Sequence, residues 1–286
     1  MRNIENETQK IMKKYNIKAD KSLGQNFLIN DNVVEKIIEA ANISKEDLVI
    51  EIGPGLGTLT EKLLEKAKKV ICVEIDTRMI KILNERFSSL DNFQLINEDI
   101  LKVDLEEIIR KEKQEENIKK AKIVANLPYY ITTPIIMKLL EDNLDLESIT
   151  VMVQKEVAKR LVAVPGKKDT GAITYGVYYY AESDEIIEVP KDSFIPEPEV
   201  TSEVIKLKIR KEKNIKAKDA ELMFKIIKTA FSQRRKTLLN TLINNNIIKT
   251  KEEGKEILAK LNLKENVRGE ELSIEQYAKL SEFINI

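Results

Sequence analysis

The chain has 286 residues, carries 48 basic and 48 acidic side chains, lacks histidine and contains one cysteine, Cys72. The missing histidine excludes a Ser-His-Asp or Cys-His nucleophile and a histidine metal site, and a lone cysteine excludes a zinc cluster and a disulfide framework, so we expect no metal. The sequence shows no apolar leader and no stretch of about 18 apolar residues, which predicts a cytoplasmic protein without a membrane span.

Apolar runs and helix-spaced apolar residues alternate along the first half of the chain. Five runs predict buried strands, at residues 48–52, 69–75, 93–99, 122–126 and 148–154. Apolar residues at helical spacing predict helices between these strands. Strands that alternate with helices predict an α/β fold, with a doubly wound, mostly parallel sheet and helices on both faces.

The remainder of the chain shows a different pattern. A tyrosine-rich apolar stretch at 172–181 predicts a helix, and residues 185–189 and 202–209 predict two strands at a hairpin-like edge. A polar, basic linker then leads into helix-spaced apolar residues with no strand pattern. We therefore predict two domains, a larger one over residues 1–212 and a small all-helical one over residues 213–286.

The stretch "EIGPGLGTLT" follows the first predicted strand and opens a helix. Gly53, Gly55 and Gly57 allow a tight turn and a close approach of the backbone to a ligand. The next strand ends in Glu74, 21 residues after Gly53, where an acid can hold ribose hydroxyls. The third glycine comes one position earlier than in the dinucleotide fingerprint, which disfavours a nicotinamide oxidoreductase.

Acidic residues lie at the ends of three predicted strands: Glu51 before the glycine loop, Glu74 after the second strand and Asp99 after the third. A carboxylate beside the loop suits a ligand with a cationic amino group better than a pyrophosphate, because like charges repel. Asp99 could accept a hydrogen bond from an adenine amine. These acids and the glycine loop, which includes Gly55, predict a pocket for S-adenosylmethionine. The three acids would lie beside its amino-acid, ribose and adenine parts.

The fourth predicted strand ends in "NLPYY", where ligands bind in such sheets, outside the carboxyl ends of the strands. The motif has the shape found in methyltransferases that act on an exocyclic amine. The Asn126 oxygen and a backbone carbonyl of Leu127-Pro128 could accept both N–H bonds of an adenine amine and direct its lone pair outward. Proline fixes that backbone, and Tyr129 offers a face for a flipped base, worth roughly 1–3 kcal/mol.

Basic residues outnumber acidic ones twelve to three between Lys206 and Lys236. Because the whole chain is neutral, this block is a candidate contact for a polyanion such as nucleic acid. A solvated linker and helix face would show the same composition. Composition alone therefore leaves both interpretations open.

The quoted motifs, taken together, resemble the small-subunit (16S) ribosomal RNA adenine-N6,N6 dimethyltransferases. The resemblance covers nearly the whole chain and becomes specific through the order of its motifs. They are "KSLGQNFLIN", "EIGPGLGTLT", "VEID", "EDILKVD", "NLPYYITTP", "FIPEPEVTSEVIKL", "AFSQRRKTLLN" and "RGEELS".

The resemblance implies a class I methyltransferase domain that uses S-adenosylmethionine, with a helical C-terminal domain. It also implies dimethylation of two adjacent adenines in a hairpin loop near the 3′ end of 16S rRNA, in an immature small subunit. By motif position, Asn26 and Leu28 line the cofactor pocket, Gly53 contacts the methionine part and Glu74 contacts the ribose. Asp99 binds the adenine, and Asn126 lies between the cofactor and the target amine.

The resemblance also assigns residues to the RNA. Phe194 in "FIPEP" resembles a second stacking wall opposite Tyr129, although a loop anchor would show the same pattern. Four residues resemble an RNA-facing group: Gln233, Arg234, Arg235 and Lys236. An arginine side chain matches a phosphate through its bidentate fork. The motif doubles its aromatic residue, and we assign stacking to Tyr129 with Tyr130 behind it.

Two other functions remain open at this stage. A 23S rRNA adenine-N6 methyltransferase of the macrolide-resistance type shares the site chemistry, and only resemblance favours the 16S group. An inactive ribosome-assembly factor would keep the fold and the RNA contacts, but would have no need for the intact acids and the Asn126–Tyr129 motif. We expect a monomer that binds 16S rRNA and no membrane.

Overall fold

The computed structural model describes residues 3–115, 117–167, 169–233 and 235–284. The chain divides into two compact units. The first contains the residues up to Ala158 together with Ser183–Ile209, and the second contains Lys159–Glu182 and the residues from Arg210 onward. A single domain boundary at residue 212 does not describe this division, because residues 159–182 belong to the second unit.

The described residues form nine strands, seven of them in one sheet with the order β4-β3-β2-β5-β6-β9-β7. The strands are β1 (Phe27–Leu28), β2 (Asp47–Ile52), β3 (Lys69–Glu74), β4 (Phe93–Asn97), β5 (Lys120–Asn126), β6 (Ser148–Gln154), β7 (Ala181–Val189), β8 (Phe194–Ile195) and β9 (Ser202–Ile209). The strands from β2 to β6 pair in parallel, whereas β9 runs antiparallel to β6. The predicted α/β sheet is confirmed, and β7 forms its edge beside β9.

Twelve α-helices complete the described part of the chain. They are α1 (Ile4–Lys14), α2 (Asp31–Ala41), α3 (Thr58–Lys66), α4 (Thr77–Phe87), α5 (Leu105–Glu115), α6 (Thr132–Glu141), α7 (Lys155–Val162), α8 (Ala172–Tyr180), α9 (Ala220–Ser232), α10 (Leu238–Asn244), α11 (Lys251–Lys260) and α12 (Ile274–Phe283). Short 3₁₀ turns lie at Lys21–Leu23, Lys191–Ser193 and Gly269–Glu271. Within the described ranges, no helix is long and apolar enough to cross a membrane.

The central strands of the first unit are buried on both faces, as a parallel sheet with helices on each side requires. The adjacent Val49 and Ile50 on β2 point to opposite faces of the sheet, and neither has exposed surface. Each such side chain contributes roughly 1.5–3 kcal/mol through removal from water. Strand β2 lies between β3 and β5, so the chain crosses to opposite sides of β2, and the carboxyl ends of these three strands meet at the switch point where α/β folds bind ligands.

Two lysines fix helix α2 against the sheet. The Nζ of Lys122 donates to the carbonyl of Asn42 at 2.6 Å and pairs with Asp47 at 2.9 Å, and the Nζ of Lys206 donates to the carbonyl of Ala40 at 2.6 Å. Cations at a helix C-terminus bind the last carbonyl groups, which have no partner within the helix, and interact favourably with the negative end of the helix dipole. Lys206 therefore has a structural role, although its sequence position placed it in the basic block.

The described part of the second unit consists of helices around buried aromatic rings, apart from the first two residues of β7. The rings of Tyr175 and Tyr277 lie edge to face with centroids 5.2 Å apart, and both are fully buried. Their hydroxyls donate to the carbonyls of Leu272 and Gly269 at 2.6 and 2.8 Å, which satisfies both buried polar groups. The predicted helix at 172–181 is confirmed as α8, and it supplies Tyr175 to this core.

Candidate active site

A cavity of about 340 Å³ opens in the first unit at the carboxyl ends of β2, β3 and β5. Its lining comes from segments 23–28, 51–56, 58–59, 73–75, 98–100 and 126–131, with Ile135. Among the described residues that line it, four are acidic and none is Lys or Arg. This charge distribution suits a cationic ligand and opposes a pyrophosphate, because a cluster of carboxylates repels an anion.

The glycine loop forms one wall of this cavity in a backbone conformation that favours glycine. Gly53 and Gly55 have φ values of 66° and 56°, in the left-handed region. Gly57 has a φ of 84°, and a Cβ placed there would lie 2.6 Å from the Phe87 ring. The loop is therefore held close to the end of helix α4, and a side chain at Gly57 would displace it.

Glu74 ends β3 at the loop and is 6% exposed. Its Oε1 accepts hydrogen bonds from the amides of Ile75 at 2.9 Å and Asp76 at 2.8 Å, and its Oε2 accepts one from the amide of Gly55 at 3.2 Å. Burial raises the pKa of this carboxyl, although the three hydrogen bonds oppose the shift. Since a carboxylate has about four acceptor sites, one remains for a ligand hydroxyl.

Glu51 ends β2 beneath the loop and is only 1% exposed, but it still lines the cavity. Its Oε2 accepts hydrogen bonds from the Thr60 hydroxyl at 2.6 Å and from the Cys72 thiol at 3.4 Å. Burial raises the pKa of Glu51 to about 7. Cys72 is confirmed as a buried small side chain and also serves as a donor to this carboxyl.

The raised pKa of Glu51 predicts a pH dependence of stability. Between its usual pKa of 4.5 and the folded value of about 7, the folded protein binds more protons than the unfolded chain, so stability falls as pH rises through this window. The shift corresponds to on the order of 3 kcal/mol. Glu51→Gln removes the titration, and we expect urea unfolding between pH 5 and 8, without cofactor, to show a smaller fall for this variant.

Glu65→Gln is the matched control, since Glu65 lies on the surface with its side chain 52% exposed. It should keep the wild-type pH dependence. Equal pH dependence in wild type and Glu51→Gln would show that the buried carboxyl does not titrate in this range.

Two acids follow β4 at the far end of the cavity. Asp99 was predicted here, and its Oδ1 accepts a hydrogen bond from the amide of Leu101 at 3.0 Å. Glu98 also lines the cavity and was missed, although "NED" places two acids in succession. The Oε1 of Glu98 accepts a hydrogen bond from the Asp99 amide at 2.8 Å, which fixes the Glu98 side chain beside Asp99.

The orientation of Asn126 is set by its neighbours. Its Nδ2 donates to the carbonyl of Asn26 at 3.2 Å, and the Nδ2 of Asn26 donates to the carbonyl of Gly24 at 3.1 Å. The amide nitrogen of Asn126 is thereby directed to the protein, and its Oδ1 is left to accept from a ligand. This arrangement supplies the acceptor that the motif predicts.

The backbone after Asn126 singles out one carbonyl. The carbonyl of Pro128 already accepts hydrogen bonds from the Thr132 hydroxyl at 2.9 Å and from the Ile131 amide at 3.3 Å. The Leu127 side chain is buried, and its amide donates to the carbonyl of Met152 at 3.1 Å. The carbonyl of Leu127 is therefore the better candidate for a second acceptor toward an amine.

Tyr129 and Tyr130 lie in different environments. The hydroxyls of Tyr129 and Ser202 form a hydrogen bond of 2.5 Å, and burial raises the pKa of Tyr129. Tyr130 is 59% exposed, and both rings line the cavity. The hydrogen bond holds Tyr129 in a defined position, whereas Tyr130 remains largely in solvent.

The structure does not bring Phe194 to the cavity. Its side chain is 2% exposed within the core of the first unit, and its backbone pairs with Leu28 between β8 and β1. The expected stacking wall opposite Tyr129 is thus a buried ring in this structure. A base could stack on Phe194 only after the ring is uncovered.

Three of the predicted RNA-facing residues, Gln233, Arg235 and Lys236, belong to the second unit and do not line the cavity. Arg235 and Lys236 are exposed after helix α9, and Gln233 is partly buried at its end. Arg234 lies outside the described residues.

Helix α4 connects the N-terminal segment to the site, a connection that no motif of the sequence indicates. Gln25 lines the cavity, and its Nε2 donates to Asp76 at 2.7 Å. Arg78 also donates to Asp76, at 2.6 Å, and together these bonds outweigh burial and lower the Asp76 pKa. At the other end of α4, Arg86 donates to the Leu56 carbonyl in the glycine loop and to Glu7 of α1.

The chain is similar to known proteins along nearly its whole length. The family described as "Ribosomal RNA adenine dimethylase" matches residues 16–285. "Ribosomal RNA small subunit methyltransferase A" of Clostridioides difficile (strain 630) is 47% identical over 280 residues, which cover 98% of this chain and 96% of the relative. The protein of the same name from Lachnoclostridium phytofermentans (strain ATCC 700394 / DSM 18823 / ISDg) is 48% identical over 281 residues, with 98% and 96% covered.

Solved structures show the same fold. A dimethyladenosine transferase from Plasmodium falciparum is 28% identical with a TM-score of 0.72, covering 89% of this chain and 95% of that chain. The 23S rRNA methyltransferase ErmE has a TM-score of 0.63 over 91% of this chain and 99% of its own. At 24% identity, the second likeness supports the fold alone.

Proposed function

Because the chain belongs to the ribosomal RNA adenine dimethylase family, we propose that it transfers methyl groups from S-adenosylmethionine to 16S rRNA. The proposed targets are the N6 amines of two adjacent adenines in a hairpin loop near the 3′ end. One observation supports this most strongly: the acid-lined cavity contains the acceptor side of Asn126 and the ring of Tyr129. The likeness to the 23S rRNA methyltransferase is at 24% identity, so it supports the fold and says nothing about the substrate of this chain.

The residues of the cavity fit S-adenosylmethionine, which supplies an electrophilic methyl group when bound. Glu51 and the loop at Gly53 and Gly55 would hold the methionine part, because buried carboxylates favour its ammonium group. The free acceptor site of Glu74 would hold a ribose hydroxyl, and Asp99 would accept from the adenine amine. Asn26 and Leu28 would form the opposite wall, since both line the cavity.

The target amine would be bound by Asn126 and Leu127. An adenine amine is a weak nucleophile because its lone pair is delocalised into the ring. If the Oδ1 of Asn126 and the carbonyl of Leu127 accept its two N–H bonds, the nitrogen lone pair is directed toward the methyl group. Pro128 keeps the backbone in this shape, and the ring of Tyr129 supports the flipped base.

The RNA would also contact the second unit. Gln233, Arg235 and Lys236, with Arg234, would bind phosphates of the rRNA near the target. We further propose that the protein acts as a monomer in the cytoplasm, on an immature small subunit, with Phe194 as a second stacking surface once it is uncovered. The inactive-factor alternative is not favoured, because the predicted cofactor acids and the Asn126–Tyr129 motif meet in one cavity.

The proposal is tested by incubating the protein with labelled S-adenosylmethionine and one of three substrates: immature 30S particles, naked 16S rRNA or 23S rRNA. We expect label in small-subunit RNA and none in 23S rRNA. Label in 23S rRNA alone would contradict the proposed substrate, and label in none of the three would favour an assembly factor without methyltransferase activity.

The proposed RNA contact predicts a change in salt dependence. Each phosphate neutralised by a protein cation contributes about 0.9 to the slope of log affinity against log salt concentration on a duplex, and about 0.7 on a single strand. Changing both Arg235 and Lys236 to alanine should weaken binding to 16S rRNA and reduce this slope by about one to two units. A control with Lys251→Ala and Lys260→Ala on helix α11 should keep the slope; an unchanged slope in the first variant would place the RNA surface elsewhere.

A further inference from the structure

Tyr130 has an unusual environment for an aromatic residue beside a binding site. Among the large hydrophobic side chains of the described residues, it is the most exposed, at 59%. No hydrogen bond to its hydroxyl occurs in the described part of the chain. A ring that is mostly exposed and forms no hydrogen bond through its hydroxyl leaves a π-face available at the cavity, where a base can stack on it.

The backbone fixes where this ring lies. Pro128 and Ile131 close a turn through a hydrogen bond of 3.3 Å, and helix α6 begins at Thr132 directly after it. Within this turn the side chain of Tyr129 is bound to Ser202. Tyr130 follows at the next position, outside that contact and still on the cavity lining.

Contact with the N-terminal segment also limits how Tyr130 can move. Gly24 has a φ of 60°, and a Cβ built on it would lie 3.3 Å from the Cδ1 and 3.7 Å from the Cε1 of Tyr130. One edge of the ring therefore lies close to Gly24, while more than half of the Tyr130 surface is exposed. A ring held in this way offers a stacking surface with little loss of side-chain entropy on binding.

We propose that Tyr130 stacks on the nucleotide beside the target adenine, while Tyr129 holds the target itself. This inference rests on the proposed function, in which two adjacent adenines are methylated in turn. When one base is flipped into the cavity, its neighbour loses a stacking partner and exposes a π-face. Stacking on an aromatic side chain replaces that partner for any base.

The two tyrosines are consecutive in this chain, as the two proposed target adenines are in the RNA. The doubled aromatic of "NLPYY" would then match the doubled adenine of the substrate. The competing role is a cover for the cofactor, because Tyr130 also lines the cofactor cavity.

The test combines changes in the protein with changes in the RNA. Binding of the full chain to a synthetic RNA hairpin with the two adjacent adenines is compared for wild type, Tyr130→Ala, Tyr130→Leu and Tyr130→Phe. We expect about tenfold weaker binding for the alanine and leucine variants and binding within twofold of wild type for phenylalanine, which keeps the ring. Leu90→Ala, which alters an exposed apolar side chain away from the cavity lining, should change nothing.

Two further hairpins, each lacking the base of one adenine, identify the contact. To the hairpin that lacks the stacked base, the wild-type protein should bind about tenfold more weakly than to the complete hairpin. On that hairpin Tyr130→Ala should cause no further loss of affinity, because the base it would stack on is already absent. An equal loss for Tyr130→Ala on all hairpins, or no loss on any, would overturn the proposal. So would weaker binding of S-adenosylmethionine by Tyr130→Ala without RNA, since that result assigns the ring to the cofactor.

These outcomes are separate from those that test the proposed function. Hairpin binding requires no methyl transfer, so the pattern of losses identifies the contact whether or not the wild-type protein methylates small-subunit particles. If the expected losses of affinity occurred but no methyl group were transferred, the proposed contact at Tyr130 would be supported and the proposed enzymatic activity would be contradicted.

Discussion

Replacing Asn126 with alanine is expected to lower the rate of methyl transfer roughly 10²–10³-fold, the range found when one positioned polar group is removed from an active site. The side chain is held by a hydrogen bond from its Nδ2 to the Asn26 carbonyl, so its Oδ1 is already oriented before substrate arrives. Without this acceptor, one N–H of the target amine is unbound and the lone pair is no longer directed. Single-turnover rates at saturating cofactor and RNA measure this step directly.

Asn126→Asp separates the two functions of the amide. An aspartate keeps an acceptor for the amine but cannot donate to the Asn26 carbonyl, so we expect a rate between those of wild type and Asn126→Ala. RNA affinity should stay within a few-fold of wild type in both variants. A rate for Asn126→Ala within a few-fold of wild type would mean that the amine is bound by other groups.

Removing the ring of Tyr129 is expected to have the second-largest effect. Stacking of a base on an aromatic side chain is worth roughly 1–3 kcal/mol, which corresponds to a change of about 5- to 150-fold in kcat/KM for the RNA. Tyr129→Ala should show this loss, while S-adenosylmethionine still binds, because the acids proposed to hold the cofactor lie at the ends of other strands. Calorimetric titration of the cofactor and steady-state kinetics with RNA measure the two effects.

Tyr129→Phe is the matched control, since it keeps the ring and removes only the hydrogen bond to Ser202. It should retain most of the activity, with a small loss from the less defined ring position. If Tyr129→Ala lost cofactor affinity and RNA turnover together, the residue would support the cavity and not the base.

Strong local patterns made the sheet predictable from sequence. Each of the seven strand predictions is confirmed within a few residues, because an apolar run bounded by polar residues is a local signal. Strand β5, for example, ends at Asn126 as expected. Strand β1 was missed because its two residues are too short for any periodicity. It exists only because Leu28 pairs with Phe194, far along the chain.

Long-range contacts explain the remaining differences. The sequence predicted that Glu51 lies at the cavity, but its pairing with Thr60 and Cys72 depends on how α3 packs against β2 and β3. Phe194 has the same sequence signature whether its ring is buried or exposed, and only the fold places it in the core. In the same way, α8 was predicted as a helix, but its place in the second unit depends on contacts such as that of Tyr175 with Leu272.

The most direct test of the enzymatic account is mass spectrometry of small-subunit rRNA from immature 30S particles after incubation with the protein and S-adenosylmethionine. We predict two adjacent N6,N6-dimethyladenosines in the hairpin loop near the 3′ end, and unmodified adenines there when Asn126→Ala is used for the same short time. Dimethyladenosine at other positions, or none in the small-subunit rRNA with the wild-type protein, would contradict the account.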